Sequence, residues 1–504
     1  MLENRSFDHV LGRLYESDKP NLFLPPNTTP KIYNGLNTGN YYNEDSNGNK
    51  YYSTPITNFP NNSVPIVDPH EVYEHVNVQL FGQPANPLPN AKATMSGFVK
   101  DYESSNPSNP GEIMQSYVLN SLPVLNFLAG VYGVSDAYYS SVPTQTNCNR
   151  AFAGSGNSIG NLRGTITGMV DNHWGPNWDH PWDPVEFTGR TMWNVLNDNK
   201  YATPDDWSIF YSQLWLGHDW PGDYCYTQDL FWPSLQNHTD HFSPIQKFFD
   251  LTAAGKLPKF SFLEPAWFEE KWGEGFNGTD YHPPGNLLPG EQFLVKLFGA
   301  IKNSPCWNDT LFIINFDEHG GTYDHQAPPW GATAPWANPA DGTAPPQATE
   351  CEFQFNRFGV RVPLILVSPY VQSGTVFRSS TAVPFDHTSV IATILNHFAI
   401  PKSKWQLGSR VANAPTFENA LTLATPRTDN REIISRQITK QSENVAANDL
   451  QLMIIHRMIA RALQKTNYPK DKFQTLYDTH FKNSKTLEQL IAAAKEVTEM
   501  IRKK

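Results

Sequence analysis

The sequence predicts an α/β protein, built as a three-layer α/β/α sandwich with a helical C-terminal extension. Three observations lead to this prediction: strands that are apolar throughout, amphipathic helices between them, and a different pattern beyond about residue 425. Strands without alternation belong to sheets that are covered on both faces. Helices on each face of one sheet make three layers.

Three apolar runs predict strands of the central sheet. They are KFSFLEP (259–265), TLFIINFDEHGG (310–321) and RVPLILVSPY (361–370). Each run stops at prolines, acids or glycines, which commonly end strands. Residues 290–304 predict a helix between the first two strands, with one apolar face formed by Phe293, Leu294, Leu297 and Ile301.

The end of the chain predicts helices. One has its apolar face at Leu452, Ile455, Ile459 and Leu463. A second opens at a capping box made by Thr486 and Gln489. We therefore predict a larger N-terminal domain over residues 1–424 and a helical extension over residues 425–504 that packs on it.

The composition narrows the class of partner. The 504 residues carry a formal net charge of −11 and contain no run of 18 apolar residues. This acidity argues against a nucleic-acid partner, which requires a basic face, and against adsorption to strongly anionic membranes. Transient contact with a neutral or zwitterionic lipid surface stays open. The four cysteines lack the CxxC spacing of zinc sites.

Two adjacent acids, Asp317 and Glu318, follow the apolar run at 310–316. Ligand sites in open α/β sheets lie at the carboxyl ends of strands, and neighbouring carboxylates repel each other unless a cation lies beside them. The alternative is a polar loop that caps the next helix. Gly320 and Gly321, which permit a tight turn and close approach, favour a site.

Glu3 and Asn4 have the same character, an acid and an amide after an expected strand end. With Asp317 and Glu318 they offer oxygen ligands and no sulfur, which favours Mg²⁺, Ca²⁺ or Mn²⁺ and leaves Zn²⁺ open. The alternative is an ordinary solvated N-terminus. Because only two residues precede Glu3, we expect a chain that starts late, weak strand pairing at residues 1–2 and a destabilised metal site.

The stretch SSVPTQTNCNRAFAGSGNS (140–158) combines hydroxyls, amides and an arginine with small residues. This composition indicates an anion-binding turn before a helix. Thr144 and Thr146 are candidate nucleophiles there, because a nearby cation or base activates a threonine hydroxyl. The alternative is an N-cap and turn without a ligand.

Three histidines lie in loops beside acids or prolines: His70 in VDPHE, His218 in LGHDW and His282 in DYHPP. A single such histidine is more often structural, whereas converging histidines serve as general acids or donate to phosphate oxygens. Asp386 and His387 in FDHTS offer a metal pair or a buried hydrogen bond at a helix start, and the second is favoured.

Five motifs in one order, LENRSFDHVLG, SVPTQTNCNR, HPP, FDEHGGTYDH and FDHTS, resemble those of the phosphoesterase family. That family contains bacterial non-haemolytic phospholipases C, plant non-specific phospholipases C and a group of acid phosphatases. The resemblance implies an alkaline-phosphatase-like fold and makes residues 1–424 the catalytic domain. Its implied ligands for a divalent metal are Glu3, Asn4, Asp317 and Glu318.

The family's nucleophile is a threonine or serine in a pattern like SVPGPTxPNR. Laid without gaps on SVPTQTNCNR, this pattern implies that Thr146, rather than Thr144, is the nucleophile and a further metal ligand. Gln145 and Cys148 stand where the family commonly has proline, so we expect a slightly different turn. The histidines implied to line the phosphate pocket are His70, His282 and, by a weaker match, His218.

The resemblance implies a metal-dependent phospholipase C that releases diacylglycerol and a phosphorylated head group from phosphatidylcholine-type lipids. In the implied reaction Thr146 attacks phosphorus, a histidine protonates the leaving alcohol, and water hydrolyses the phosphothreonine. Tryptophans at 173–182 would suit a quaternary ammonium group, or simply pack the loops. The alternatives are a broad acid phosphatase on the same scaffold and an inactive adhesion module. We expect a secreted or periplasmic protein, although no signal peptide is visible.

Overall fold

The computed structural model describes most of the chain. The described residues are 1–57, 63–158, 160–162, 165–166, 186–187, 189–212, 224–268, 278–335, 353–428, 446–465, 469, 472–482, 484 and 486–502.

Helices and short strands alternate along the chain. The helices are α1 (Phe7–Leu11), α2 (Tyr73–Phe81), α3 (Phe98–Tyr102), α4 (Pro123–Val131), α5 (Thr146–Ser155), α6 (Met192–Asp198), α7 (Tyr226–Leu230), α8 (Trp232–Leu235), α9 (Ile245–Ala253), α10 (Leu288–Lys302), α11 (His387–His397), α12 (Gly408–Ala412), α13 (Asp449–Lys465), α14 (Phe473–His480) and α15 (Leu487–Arg502). The strands are β1 (Leu22–Leu24), β2 (Tyr42–Glu44), β3 (Lys50–Tyr52), β4 (Pro55–Ile56), β5 (Ser116–Tyr117), β6 (Gly133–Ser135), β7 (Tyr138–Tyr139), β8 (Gly160–Leu162), β9 (Thr165–Ile166), β10 (Glu186–Phe187), β11 (Trp207–Tyr211), β12 (Phe242–Pro244), β13 (Phe260–Glu264), β14 (Phe312–Asn315), β15 (Leu364–Val367), β16 (Thr375–Phe377) and β17 (Phe385–Asp386).

Two sheets position the site. One has the strand order β1-β16-β6-β15-β14 and is mixed, because β15 is antiparallel to both neighbours while β16 is parallel to β1 and β6. The other, β12-β11-β13, is parallel throughout. The sequence does not reveal the antiparallel strand, since buried strands of either direction are equally apolar.

The N-terminal segment lies between the two sheets. Leu2 pairs in parallel with Phe316. It donates its N–H to the Asn315 carbonyl at 2.8 Å and accepts a hydrogen bond from the Asp317 N–H at 3.2 Å. On its other side the terminal amino group lies 3.4 Å from the Leu263 carbonyl. The pairing at residues 1–2 that was expected to be weak is thus a single bridge, but its two hydrogen bonds have ordinary lengths.

Helices cover both faces of the parallel sheet. Along β11, Trp207 and Ile209 lie in an apolar cluster with residues of α6, α11 and the C-terminal helices. Phe210, the residue after Ile209, lies on the other side in a cluster with Phe248 of α9 and Leu297 of α10. This alternation across one strand confirms the predicted α/β/α layering.

The predicted central elements are confirmed. The three apolar runs form strands β13, β14 and β15, and the helix predicted at 290–304 is α10. The strands do not share one sheet as expected, because β13 belongs to the parallel sheet and β14 and β15 to the mixed one. On α10, Leu294, Leu297 and Ile301 are buried as expected.

The C-terminal helices share the apolar cluster of β11. From α13, Ile455 and Ile459 are buried in it. The expected capping box opens α15, because the Gln489 N–H donates to Thr486 Oγ1 and the Thr486 N–H to Gln489 Oε1, both at 3.3 Å. The domain boundary at residue 424 stays a prediction. Within the described residues no helix is both long and apolar enough to cross a membrane.

Candidate active site

The candidate site begins where two parallel strand segments end side by side. Because Leu2 pairs with Phe316, the residues that follow each of them lie next to one another. Asn4 donates its N–H to Asp317 Oδ1 at 3.0 Å. Asn4 also holds a left-handed backbone, with φ of 50°, a conformation that non-glycine residues adopt sparingly and often at functional sites. The two predicted ligand pairs, Glu3-Asn4 and Asp317-Glu318, are therefore brought together.

The two glycines after Glu318 allow this approach. Gly320 and Gly321 have φ of 59° and 61°. A Cβ on Gly320 would lie 2.0 Å from the Asn4 carbonyl oxygen, and one on Gly321 would lie 2.5 Å from Pro69 Cβ. Side chains at these positions would separate the three loops, so the glycines act as the sequence predicted.

Thr146 is the first residue of α5 and faces the same point. Its hydroxyl lies within donating distance of Glu3 Oε2, at 3.2 Å, and of Asn4 Oδ1, at 3.4 Å. The N-terminus of a helix carries partial positive charge and unpaired N–H groups, which attract anions. Neither oxygen accepts from Thr144, whose hydroxyl is buried without a hydrogen-bond partner. The geometry thus favours Thr146 over Thr144.

Arg150 lies one helical turn after Thr146, on the same face of α5. Its guanidinium pairs with the Glu3 carboxylate and lies 3.4 Å from Asp317 Oδ2. The rings of Tyr226 and Trp267 flank it, with centroids 5.3 and 4.9 Å from its central carbon. Although burial lowers it, the two carboxylates raise the pKa of Arg150 above its ordinary value. The cation is therefore fixed beside the acids.

The acids of the site have more charge than their partners neutralise. Glu3, Asp317 and Glu318 are fully buried. Asp317 Oδ2 and Glu318 Oε1 accept no hydrogen bond. Burial, and in second place Asp317, raise the pKa of Glu318 well above its usual range. Such orphaned carboxylate oxygens, with the amide and hydroxyl oxygens nearby, fit a hard divalent cation. The five residues that would hold it are Glu3, Asn4, Thr146, Asp317 and Glu318.

His282 adjoins this group through Asn4. Its Nε2 lies 2.8 Å from Asn4 Nδ2, and its Nδ1 lies within hydrogen-bond distance of the Pro283 carbonyl. Two further carboxylates face the ring, Asp68 at 3.6 Å from Nδ1 and Asp449 at 3.5 Å from Nε2. Burial lowers the pKa of His282, but the surrounding carboxylates outweigh it and raise that pKa well above the ordinary value.

Around residue 70, the side chain that contacts the site is Glu71. It is buried, and its Oε1 accepts from Asn4 Nδ2 at 3.3 Å. The ring of His70 instead stacks on His75, with centroids 4.2 Å apart. Neighbouring residues of an extended segment point to opposite sides, so the VDPHE motif offered two candidates without showing which one faces the site. A catalytic role for His70 stays a prediction.

Two sequence features lie outside the described residues. His218 falls in 213–223, and the tryptophans of 173–182 fall in 167–185.

Asp386 and His387 form the favoured structural arrangement. Asp386 caps α11 in a capping box with Ser389. His387 Nε2 lies 3.0 Å from the Phe316 carbonyl, at the end of the strand that carries Asp317. This pair therefore contacts the backbone directly before Asp317 and helps to hold that residue in place.

Comparison with known proteins shows the family of this chain. Residues 1–401 match the Phosphoesterase family. The chain belongs to the phosphoesterase family. Among its relatives, the non-specific phospholipase C6 of Arabidopsis thaliana is 30% identical over 465 residues, which cover 90% of this chain and 77% of the relative. The hemolytic phospholipase C of Pseudomonas aeruginosa is 25% identical over 333 residues, covering 57% and 40%.

This phosphoesterase is thus a phosphoric ester hydrolase of phospholipase C type. A solved protein of the alkaline phosphatase superfamily from Vibrio parahaemolyticus is 12% identical over 69% of this chain and 83% of its own. Its TM-score of 0.30 is too low to bear on the fold.

Proposed function

We propose that this phosphoesterase is a divalent-metal-dependent phospholipase C that hydrolyses phosphatidylcholine-type phospholipids to diacylglycerol and a phosphorylated head group. The observation that carries the proposal is the position of Thr146. Thr146 is the first residue of α5, and its hydroxyl lies within hydrogen-bond distance of Glu3 and Asn4. Nearby, the buried oxygens Asp317 Oδ2 and Glu318 Oε1 accept no hydrogen bond. The plant and bacterial relatives named phospholipases C support the substrate class.

The chemistry follows from groups of this chain. Thr146 Oγ1 forms a bond to phosphorus while Glu3 accepts its hydroxyl proton, and the bond from phosphorus to the glycerol oxygen breaks. His282, the predicted histidine that contacts the ligand residue Asn4, protonates the departing diacylglycerol alkoxide. His282 then takes a proton from water, whose oxygen bonds to phosphorus as the bond from phosphorus to Thr146 Oγ1 breaks. The proton held by Glu3 returns to Thr146 Oγ1, and the phosphorylated head group is freed.

The charge of the phosphate is met from two sides. Arg150 and the N-terminus of α5 attract its oxygens. A divalent cation bound by the five oxygen-ligand residues would supply further neutralisation of charge on phosphorus-bound oxygens. The candidate ions are Ca²⁺, Mg²⁺, Mn²⁺ and Zn²⁺. We propose a hard ion among them, because every ligand atom is oxygen.

Two measurements test the proposal. Release of diacylglycerol from phosphatidylcholine micelles should be faster than hydrolysis of an aryl phosphate monoester by the same preparation. After an acid quench, mass spectrometry should find a phosphocholine adduct on the peptide that contains Thr146. Faster monoester hydrolysis would favour the acid phosphatase alternative, and an adduct on another residue would exclude Thr146 as nucleophile.

The remaining predictions concern organisation and location. We propose that residues 425–504 are a helical extension packed on a catalytic domain of residues 1–424, which the shared apolar cluster supports. We also propose a secreted or periplasmic native protein that contacts lipid surfaces transiently. Co-sedimentation with phosphatidylcholine vesicles tests the contact with lipid surfaces. Fractionation of the source cells tests the location.

A further inference from the structure

A buried glutamate at the end of β13 lies behind the arginine of the candidate site. Glu264 is the last residue of that strand and is completely buried. Its hydrogen-bond partners are residues 225–227 and Trp267. We propose that Glu264 is a positioning residue, which holds Arg150 in the place where it binds phosphate oxygens. The inference rests on the proposed function, in which Arg150 attracts the phosphate, and adds a residue that this function does not include.

The Glu264 carboxylate accepts hydrogen bonds from five neutral donors. Its Oε1 accepts from the Tyr226 N–H at 2.8 Å and from the indole N–H of Trp267 at 2.9 Å. Its Oε2 accepts from the N–H of Thr227 at 2.9 Å, from the hydroxyl of Thr227 at 2.8 Å and from the Cys225 thiol at 3.4 Å. Hydrogen bonds to an ionised group are the stronger kind, so this carboxylate fixes the groups that donate to it.

Two of these donors belong to the residues whose rings flank Arg150. The ring centroids of Tyr226 and Trp267 lie 5.3 and 4.9 Å from the central guanidinium carbon and 5.2 Å from each other. One oxygen, Glu264 Oε1, therefore anchors both residues. It holds the indole ring directly and the phenol ring through the backbone. Because an arginine between aromatic rings follows the position of those rings, Glu264 controls where the guanidinium lies.

The Tyr226 side chain also contacts the start of α5. Its hydroxyl donates to Asn147 Oδ1, and Asn147 directly follows Thr146. Arg150 lies one turn further along the same helix. A displaced Tyr226 would therefore disturb both the N-terminus of α5 and the guanidinium, the two groups that attract the phosphate in the proposed reaction.

A glutamine cannot reproduce these contacts at position 264. Its amide has one oxygen, which accepts from two donors, whereas its NH2 group would face donors that now point to a carboxylate oxygen. Glu264→Gln thus keeps the size of the side chain and breaks one side of the network. We expect the two rings, and Arg150 between them, to shift.

The experiment measures how tightly the full chain binds inorganic phosphate as a competitive inhibitor. In Glu264→Gln the inhibition constant should rise by about 10-fold, as is common when a supporting side chain is changed. KM should rise with it and kcat should change less, because the phosphate is held in the ground state and the transition state alike. The assay uses phosphatidylcholine or the aryl phosphate, whichever the wild type hydrolyses faster, so the result does not depend on the head group.

A double variant shows whether Glu264 acts through Arg150. Arg150→Lys should itself weaken phosphate binding, since lysine lacks the planar group that stacks between the rings. Adding Glu264→Gln to it should weaken binding little further, because the arrangement that Glu264 holds is already lost. Additive effects of the two changes on the inhibition constant would overturn the inference.

Glu291→Gln is the matched control. Glu291 also accepts from two successive N–H groups at a helix start, those of Val124 and Leu125 in α4, and from the Tyr281 hydroxyl. It therefore loses the same kind of contacts at a helix that does not carry Arg150. Its inhibition constant for phosphate should equal that of the wild type.

The outcomes separate this inference from the proposed function. An unchanged inhibition constant and KM in folded Glu264→Gln would overturn the inference and leave the proposed function intact. No inhibition of the wild type by phosphate would contradict the role of Arg150 in the proposed function, and this inference with it. If Glu264→Gln fails to fold by circular dichroism, Trp267→Phe decides in its place, because it keeps a ring beside Arg150 and removes the N–H that donates to Glu264. The inhibition constant should then rise as well, and an unchanged constant would overturn the inference.

Discussion

Two buried acid clusters flank the N-terminal motif, and they differ in how their carboxylates are paired. In the first, Asp8, Asp324 and His325 bring three potential ligand atoms within 4.8 Å of one another. Arg361 lies among them, 3.0 Å from an oxygen of Asp8 and 3.0 Å from an oxygen of Asp324. Burial raises the pKa of Asp8, but His325 and Arg361 outweigh it and hold that pKa below its usual value.

In the second cluster one guanidinium, that of Arg150, faces three carboxylates: it pairs with Glu3 and lies 3.4 Å from Asp317 Oδ2. Asp317 Oδ2 and Glu318 Oε1 accept no hydrogen bond, and the pKa of Glu318 is raised well above its usual range by burial and by Asp317. The comparison shows that closeness of acids and histidines does not by itself mark an ion site. The deciding feature is whether the cationic side chains present pair with every carboxylate, as Arg361 and His325 do with Asp8 and Asp324, or leave carboxylate oxygens without a hydrogen bond. We therefore expect the Arg361 network to be structural and the cluster at Thr146 to be functional.

The largest effect is expected at Thr146, whose hydroxyl lies against Glu3 and Asn4. Thr146→Ala removes the hydroxyl that we propose as the nucleophile, so kcat/KM should fall by about 10⁴-fold or more. Thr146→Ser should retain part of the activity. As a control, Thr393→Ala in α11 removes another buried hydroxyl, which donates to the Ser389 carbonyl and accepts from the Phe417 N–H, and should retain activity. Near-normal turnover by Thr146→Ala would rule out Thr146 as nucleophile.

Removing the compensating cation should damage the paired cluster next most severely. Arg361→Gln leaves Asp8 and Asp324 buried without their guanidinium, so the free energy of unfolding should fall by about 3–5 kcal/mol in urea titrations. Metal content should not change. In the control Lys482→Gln, which loses a pair with Asp478 on the exposed surface, the change should stay below about 1 kcal/mol. A loss of bound metal in Arg361→Gln would show that the two clusters are not separate.

A carboxylate-to-amide change should have opposite signs in the two clusters. Without metal, Glu318→Gln removes a buried uncompensated charge, so the melting temperature should rise. With metal, the same variant should bind the ion about 10-fold to 100-fold more weakly.

The matched change Asp8→Asn should lower the melting temperature in chelator and in metal alike, because it breaks the ion pair with Arg361. Melts of both variants in the two conditions measure the difference. The same sign of change for both variants in chelator would contradict the distinction drawn between the clusters.

Much of this arrangement was predictable because it depends on local patterns. The apolar run before Asp317 and the two glycines after Glu318 indicated a strand end and a tight turn, and both are present. Thr146 and Arg150 were identified in one short stretch, since helical spacing places them on one face. The local geometry of the chain fixes where residues close in sequence to a motif lie.

The rest depends on contacts between distant segments. Asp449 reaches His282 from the start of α13, more than 160 residues away in the chain, and no local pattern marks it. The choice of Glu71 over His70 depends on how the segment before α2 is turned. The ion pairs of Arg361 with Asp8 and with Asp324 also join distant segments. The sequence therefore does not show which of the two acid clusters is compensated by an arginine.

The smallest effect is expected at His75, where an acid and a histidine pair near the surface. Its Nδ1 lies 2.7 Å from Asp101 Oδ1, and this hydrogen bond raises the pKa of His75 despite partial burial. The pair therefore stabilises the fold fully below the unfolded-state pKa of about 6.5, and this stability is lost as pH rises through the higher folded-state pKa. His75→Gln should remove that pH dependence of stability and lower the free energy of unfolding by less than about 1 kcal/mol, measured by urea titration from pH 5 to pH 9.

Because the ring of His70 stacks on His75, activity measured on the same variant also tests whether His70 takes part in the reaction. A pH profile of activity that shifts with His75→Gln would bring His70 into the mechanism, whereas an unchanged profile would leave Glu71 as the residue of this segment that contacts the site.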